Sequence, residues 1–226
     1  MQGVPYREAI RCVLWLSRPD IVFAIGILSQ FIQNLGLAHW EAVKRVIIYL
    51  GATKYLWLTF GGKSETPVEG FCDADWASQK HRHSILGYLF HFRQGAISWS
   101  SKKQNIIALS STEAEYIAQT HAAKEAMWMK NFLDEIQGPR GGPIVVNCNN
   151  QGAIVLAKDS KFHSCTKHIN LHYHFMREVV EDGRLSMNYI PTNENVLDIF
   201  TKALAHPKFV HFVEMLGLRE FKKESD

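Results

Sequence analysis

The sequence predicts an α/β fold in which a mixed sheet carries helices on its faces and follows a mainly helical segment. Three observations carry this. Apolar residues in the first third recur at helical spacing, three strand-like runs then follow one another, and the remainder alternates strand-like with helix-like stretches. A chain of 226 residues, 46% of them hydrophobic, can bury a sizeable core in one large domain or two small ones.

Tyr6 to Leu16 has helical spacing, and a second helix is expected from Ser17, Arg18, Pro19 and Asp20 through Ile32 to the stop at Gly36. A third runs from about His39 to Gly51. Tyr55 to Phe60 reads as a strand, and the Gly-, Ser- and Pro-containing run 61–67 reads as a linker. The boundary placed there gives a helical segment 1–62, an α/β domain 63–205 and a C-terminal helix with a polar tail, 206–226. Val68 to Asp73, Ile85 to Phe92 and Ala96 to Ser101 are expected to form an antiparallel meander, with Gly95 in the second turn. Ser110, Ser111 and Thr112 can cap a long helix. After it come a strand at Pro143 to Cys148, a helix from Asn150 to Ala157, a helix from Ile169 to Glu181, a strand at Leu185 to Ile190 and a helix from Val196 to Leu204, which brings the sheet to five strands.

The formal charge of +3 is too mild for a domain that only coats phosphates, and suits an acidic site offset by a basic surface. Cys12, Cys72, Cys148 and Cys165 lie far apart with no C-x-x-C pair, which predicts buried free thiols. No signal-like start and no bilayer-length apolar run is visible, so an intracellular, unsecreted protein without membrane contact is expected.

Acidic residues recur where element ends could bring them together: Asp73 and Asp75 after the first domain strand, Glu113 and Glu115 in the long helix, Asp198 in the last. Packed carboxylates repel and need a counter-charge. Oxygen ligands without Cys or His favour Mg²⁺ or Mn²⁺ over zinc. Chain distance alone does not place them together, so taken without family information each reads first as a solvated surface residue or a helix cap.

The strings Phe71-Cys-Asp-Ala-Asp-Trp-Ala77, Gly87-Tyr88, Ile97-Ser-Trp-Ser-Ser-Lys-Lys-Gln104, Ala108-Leu-Ser-Ser-Thr-Glu-Ala-Glu-Tyr116, Thr166-Lys-His-Ile169 and Asp198-Ile-Phe-Thr-Lys202 resemble the ribonuclease H domain of copia-type retrotransposon Pol polyproteins. Upstream, Tyr6-Arg-Glu-Ala, Arg18-Pro-Asp-Ile and His39-Trp-Glu-Ala-Val-Lys44 resemble the segment joining the polymerase to that domain. The resemblance implies a ribonuclease H-like five-stranded mixed sheet and two-metal hydrolysis of the RNA strand of an RNA-DNA hybrid, within the remainder of a Pol polyprotein as partner. No Tyr-x-Asp-Asp polymerase motif is present.

Carried over by position, the resemblance makes Asp73, Glu115 and Asp198 catalytic, metal-binding carboxylates, with Asp75 and Glu113 in reserve. Glu113 is better read as a first-turn residue favoured by the helix dipole. At the remaining ligand position Asn149 stands in Asn149-Asn150-Gln151 where the family has Asp-Asn-Gln. An amide can offer a carbonyl oxygen but no charge, so metal affinity and turnover should both fall. Asn170, Cys165 and the loop residues Lys80, His81 and His83 also depart from the family pattern, as in a decaying or a domesticated copy. The alternative is an inactive hybrid-binding or structural remnant of the same fold.

Lys102, Lys103, Ser110 and Ser111 are the candidates for nucleic-acid binding through phosphate and 2′-hydroxyl contacts. His163, His168, His172 and His174 are read as packing residues rather than zinc ligands, His81 and His83 as exposed loop residues, and Trp76, Trp99 and Trp128 as core.

Overall fold

Five short runs with many buried apolar residues, β2 (Val68–Asp75), β3 (Ile85–Phe92), β4 (Gly95–Lys103), β5 (Ile144–Cys148) and β6 (Leu185–Tyr189), form one mixed sheet in the computed structural model of the chain. The structure describes residues 4–14, 18–61, 68–138, 141–158 and 170–220. Strand order is β4-β3-β2-β5-β6, with β2, β3 and β4 antiparallel as an expected meander and β5 and β6 parallel to β2.

Period-two alternation sorts side chains to two cores. On one face Val68, Cys72, Leu86, Phe90 and Val146 meet the helix α4 (Ser111–Gln137), flanked by α5 (Gln151–Lys158) and α6 (Asn170–Glu181). α4 lies close because Ala114, Ala118, Ala122, Ala123 and Ala126 are fully buried on its inner side. On the opposite face Leu89 and Phe71 meet Leu197, Ile199 and Phe200 around the short helix α7 (Asp198–Thr201), and Phe212, Val213 and Leu216 from α8 (His206–Met215) and its C-terminal turn. A third core joins α1 (Tyr6–Leu14), α2 (Val22–Ser29) and α3 (Leu37–Ala52) through Tyr6, Ile10, Ile25, Leu28 and Val43. There Asp20 accepts from Arg18 Nε and Nη2 at 2.9 and 2.7 Å and from the Tyr49 hydroxyl at 2.6 Å. α2 packs on β4 and α7, so the helical segment touches an element of the acidic region.

Several local expectations change. Only Asp198–Thr201 of the expected 196–204 helix is α-helical, because the turn before it is closed by tighter i to i−3 bonds from Asp198, Ile199 and Phe200. The hairpin turn falls at Arg93 and Gln94, both at positive φ, while Gly95 begins β4. Glycine is required at 95 for close packing instead: a Cβ there would collide with the Phe60 ring and the Thr59 carbonyl. The expected strand near residue 55 is β1 (Leu56–Leu58), paired with an unexpected β7 (Leu218–Glu220). Trp76 and Trp128 are 48% and 58% exposed and are not core, while Trp99 is half-buried against the second core. Cys72 and Cys148 are buried free thiols as expected, but Cys12 is exposed, and Cys165 lies outside the described residues. His83 is half-buried with Nδ1 2.7 Å from the Gln104 carbonyl, which ties the loop down instead of leaving the ring in solvent. His174 is exposed on α6; His163 and His168 lie outside the described residues. Among the described residues no helix is long and apolar enough to cross a membrane.

His91 on β3 is buried, its ring edge-on to Phe71 at 5.5 Å, and burial pushes its pKa down to about 4. An unfolded histidine titrates near 6.5, so between roughly pH 6.5 and 4 the unfolded chain binds the extra proton and the fold loses stability as pH falls. His91→Phe should flatten this loss: in urea denaturation the parent should weaken relative to the variant by up to about 3 kcal/mol across that window, at ~1.4 kcal/mol per pH unit. A pH-independent difference would refute the assignment.

Candidate active site

Asp73 opposes Gly87 in the β2–β3 register, and both face α7. A Cβ at Gly87 would meet Leu197 Cδ1 at 3.0 Å, Phe200 Cβ at 3.1 Å and Thr201 Cγ2 at 3.3 Å, so glycine is what lets α7 approach this closely. The approach brings the Thr201 hydroxyl to Asp73 Oδ2 at 2.5 Å. Asn195, fully buried ahead of α7, fixes the same segment by donating to the Cys72 carbonyl at 3.2 Å and accepting the Leu197 N–H.

Asn149, immediately beyond β5, donates its amide to Asp73 Oδ1 at 3.2 Å. Glu115 enters from the first turns of α4, where a backbone hydrogen bond from Ala74 reaches its carboxylate. Asp198, 2% exposed, has Lys208 Nζ at 2.6 Å on Oδ2 and Lys202 Nζ at 2.7 Å on Oδ1, the latter a close ion pair outside hydrogen-bond alignment. Asp73, Glu115, Asn149 and Asp198 thus gather at one end of the sheet. Asp75, half-buried two residues on from Asp73, adds its charge to the field at Lys202.

The electrostatics are those of carboxylates removed from water. Burial raises the pKa of Asp73, as does the Asp198 charge, against the Thr201 hydroxyl, Lys202 and the Asn149 amide. Burial again dominates at Glu115, pushing it well above the usual carboxylate range, with the charge of Asp73 adding to the shift. At Lys202 burial favours the neutral form, but the contact with Asp198 and the charges of Asp73 and Asp75 outweigh it and the pKa rises.

Among the described residues no three His, Cys, Asp or Glu side chains form a ready-made metal cage. Three buried oxygens of this region nevertheless lack a hydrogen-bond partner: Asp198 Oδ1, which has the Lys202 ion pair, and Glu115 Oε2 and Asn149 Oδ1, which show no ion pair among the described residues. Unpaired buried acceptors are costly, and a cluster of hard oxygen donors fits a divalent cation such as Mg²⁺ or Mn²⁺.

The nucleic-acid candidates divide by environment. Lys102 and Lys103 are exposed at the end of the edge strand β4, and Ser111 is exposed at the start of α4. The Ser110 hydroxyl accepts the Glu113 N–H at 3.1 Å while the Glu113 carboxylate accepts the Leu109 N–H at 2.8 Å, so both residues cap α4. Sequence reasoning missed Thr201, Lys202, Asn195 and Lys208. The first two lie inside the Asp198-Ile-Phe-Thr-Lys202 string, which was the available signal.

No family model matches the chain. It is 46% identical over 222 residues to the retrovirus-related Pol polyprotein from transposon TNT 1-94 of Nicotiana tabacum, covering 96% of this chain and 17% of that protein. With the corresponding polyprotein from transposon RE2 of Arabidopsis thaliana it shares 35% over 216 residues, 94% of this chain and 15% of the relative. A solved structure of LC11-RNase H1 in complex with RNA/DNA hybrid aligns over 57% of this chain and 88% of that one, at 14% identity and a TM-score of 0.43. The five-stranded mixed sheet with helices packed on it is the arrangement that the copia-type strings implied. The chain belongs to the retrovirus-related Pol polyproteins of transposons, in keeping with the copia-type strings, and spans less than a fifth of the length of these two relatives.

Thr201→Val removes a hydroxyl bonded to a buried carboxylate and should cost roughly 1.5–3 kcal/mol in urea denaturation, the range for hydrogen bonds to charged groups. A loss below ~0.5 kcal/mol, as for an ordinary surface change, would mean that the contact does not hold α7 to Asp73.

Proposed function

We propose that this chain is a ribonuclease H-type module that engages RNA-DNA hybrids and cuts their RNA strand weakly or not at all, with residues 1–62 a remnant of the polymerase connection. The observation that carries this reading is the Asn149 amide donating to Asp73, where the copia-type pattern has a third carboxylate. A carboxylate there would add a negative charge; the amide instead uses one of Asp73's lone pairs.

In this reading Asp73, Glu115, Asn149 through Oδ1, and Asp198 hold divalent cations. Bound Mg²⁺ or Mn²⁺ would supply Lewis-acid polarisation of the scissile phosphate and a more acidic water. The protein's part is positional. Gly87 and Thr201 fix where Asp73 and Asp198 stand, and α4 delivers Glu115. Lys102, Lys103 and Ser111, all exposed, are the groups assigned to phosphate oxygens and the 2′-hydroxyl that marks RNA, with Ser110 beside them at the α4 cap. The remainder of a Pol polyprotein is the expected covalent partner.

Asn149→Asp restores charge with little change in size. It should raise Mg²⁺- or Mn²⁺-dependent cleavage of a labelled hybrid by roughly two orders of magnitude, the scale on which groups around a metal alter its affinity or activity. Hybrid affinity of the parent should be measurable and fall with salt. Brisk cleavage by the parent, or no gain in a folded, hybrid-binding Asn149→Asp variant, would contradict the impairment. No salt-dependent binding at all would favour a structural remnant.

A further inference from the structure

We propose that Lys202 and Lys208 are built-in counter-cations of the acidic cluster, and that a divalent cation reaches Asp198 only by displacing them. Asp198 is almost wholly buried, yet two ammonium groups lie within 2.7 Å of its two oxygens, one from the residue after α7 and one from α8. Lys208 is also held from behind, its Nζ 5.3 Å from the centroid of the Phe212 ring. Asp73 and Asp198 bring two negative charges and the lysines two positive ones, so this pair of carboxylates is balanced without any bound ion.

The balance is incomplete elsewhere, which is why the cluster keeps a demand for a cation. Glu115 Oε2 and Asn149 Oδ1 are buried acceptors without a hydrogen-bond partner, and Glu115 is 6% exposed. A lysine tip is tethered and can donate only where its stem reaches, whereas a small divalent ion could satisfy several oxygens together. Both lysine side chains are about two-fifths exposed, at 37% and 41%, so each can swing into water when a cation takes its place. Competition between tethered ammonium and free cation would set the affinity of the site independently of the amide at 149.

This inference rests on the metal-site reading above, but its test reads cation binding and not cleavage. Mn²⁺ titrations followed by electron paramagnetic resonance, with thermal melting in parallel, would compare the parent with Lys202→Met and Lys208→Met. Each variant should bind Mn²⁺ about tenfold more tightly, the factor that ~1.4 kcal/mol of competing attraction produces. Each should melt lower than the parent without metal and gain more on adding Mn²⁺, since only the folded state offers the site. The added response should vanish when Asp198→Asn is combined with either lysine change. Lys208→Met, which leaves Lys202 in place, keeps the test open if Lys202→Met fails to fold. Equal Mn²⁺ affinity in the parent and both folded single variants would overturn the proposal, and so would a gain that survives Asp198→Asn. Tighter Mn²⁺ binding in variants that still leave hybrid uncut after Asn149→Asp would instead uphold the counter-cations and contradict the assignment of the impairment to Asn149.

Discussion

The close approach of α7 to β3 across Gly87 is the constraint on which the acidic region depends. A β-carbon at that position would press on Leu197, Phe200 and Thr201 together. Because Gly87 sits opposite Asp73 in the antiparallel register, the same step that packs Phe200 into the second core delivers the Thr201 hydroxyl to a buried carboxylate. Asp198 and Lys202 begin and follow that same helix, so their positions are inherited from it. One apolar packing event therefore sets the geometry of three polar groups.

Burying carboxylates is unfavourable unless hydrogen bonds and opposite charges compensate, and this chain compensates unevenly. Asp73 has a hydroxyl and an amide, Asp198 has two lysines, and Glu115 is left with one oxygen unpaired and a raised pKa. A region built only for stability would replace such groups with apolar side chains of similar volume. Among these groups Asn149 brings a neutral amide, which donates to Asp73 and leaves its own oxygen as an unpaired acceptor.

Much of this was legible in the sequence, for identifiable reasons. Short strand-like runs bounded by turn residues marked the sheet strands, because most of their side chains are buried between the flanking layers, and the capping residues located the start of α4. The strings around Asp73, Glu115 and Asp198 named residues that the fold gathers at one end of the sheet. What remained hidden depends on distant partners. α7 is shorter than its apolar pattern suggests because Asn195 is pulled onto the Cys72 carbonyl, 123 residues away. Lys208 meets Asp198 only because α8 folds back over the second core. Trp76 and Trp128 have apolar neighbours in sequence but face outward, and Trp76 donates its indole N–H to the Ala108 carbonyl at 3.1 Å. β7 is three residues long and exists as a strand by pairing with β1, a partner no local pattern reveals.

The Gly87 contact and the Thr201–Asp73 hydrogen bond are one coupled feature. A double-mutant cycle tests it most directly, with urea denaturation of the parent, Gly87→Ala, Thr201→Val and the double variant. Overpacking at 87 should cost about 1–3 kcal/mol and displace α7, so that much of what Thr201→Val removes is already lost. The double variant should then be less destabilised than the sum of the single changes by about 1 kcal/mol or more. Additivity within ~0.5 kcal/mol would show that the two contacts act independently and would contradict the account.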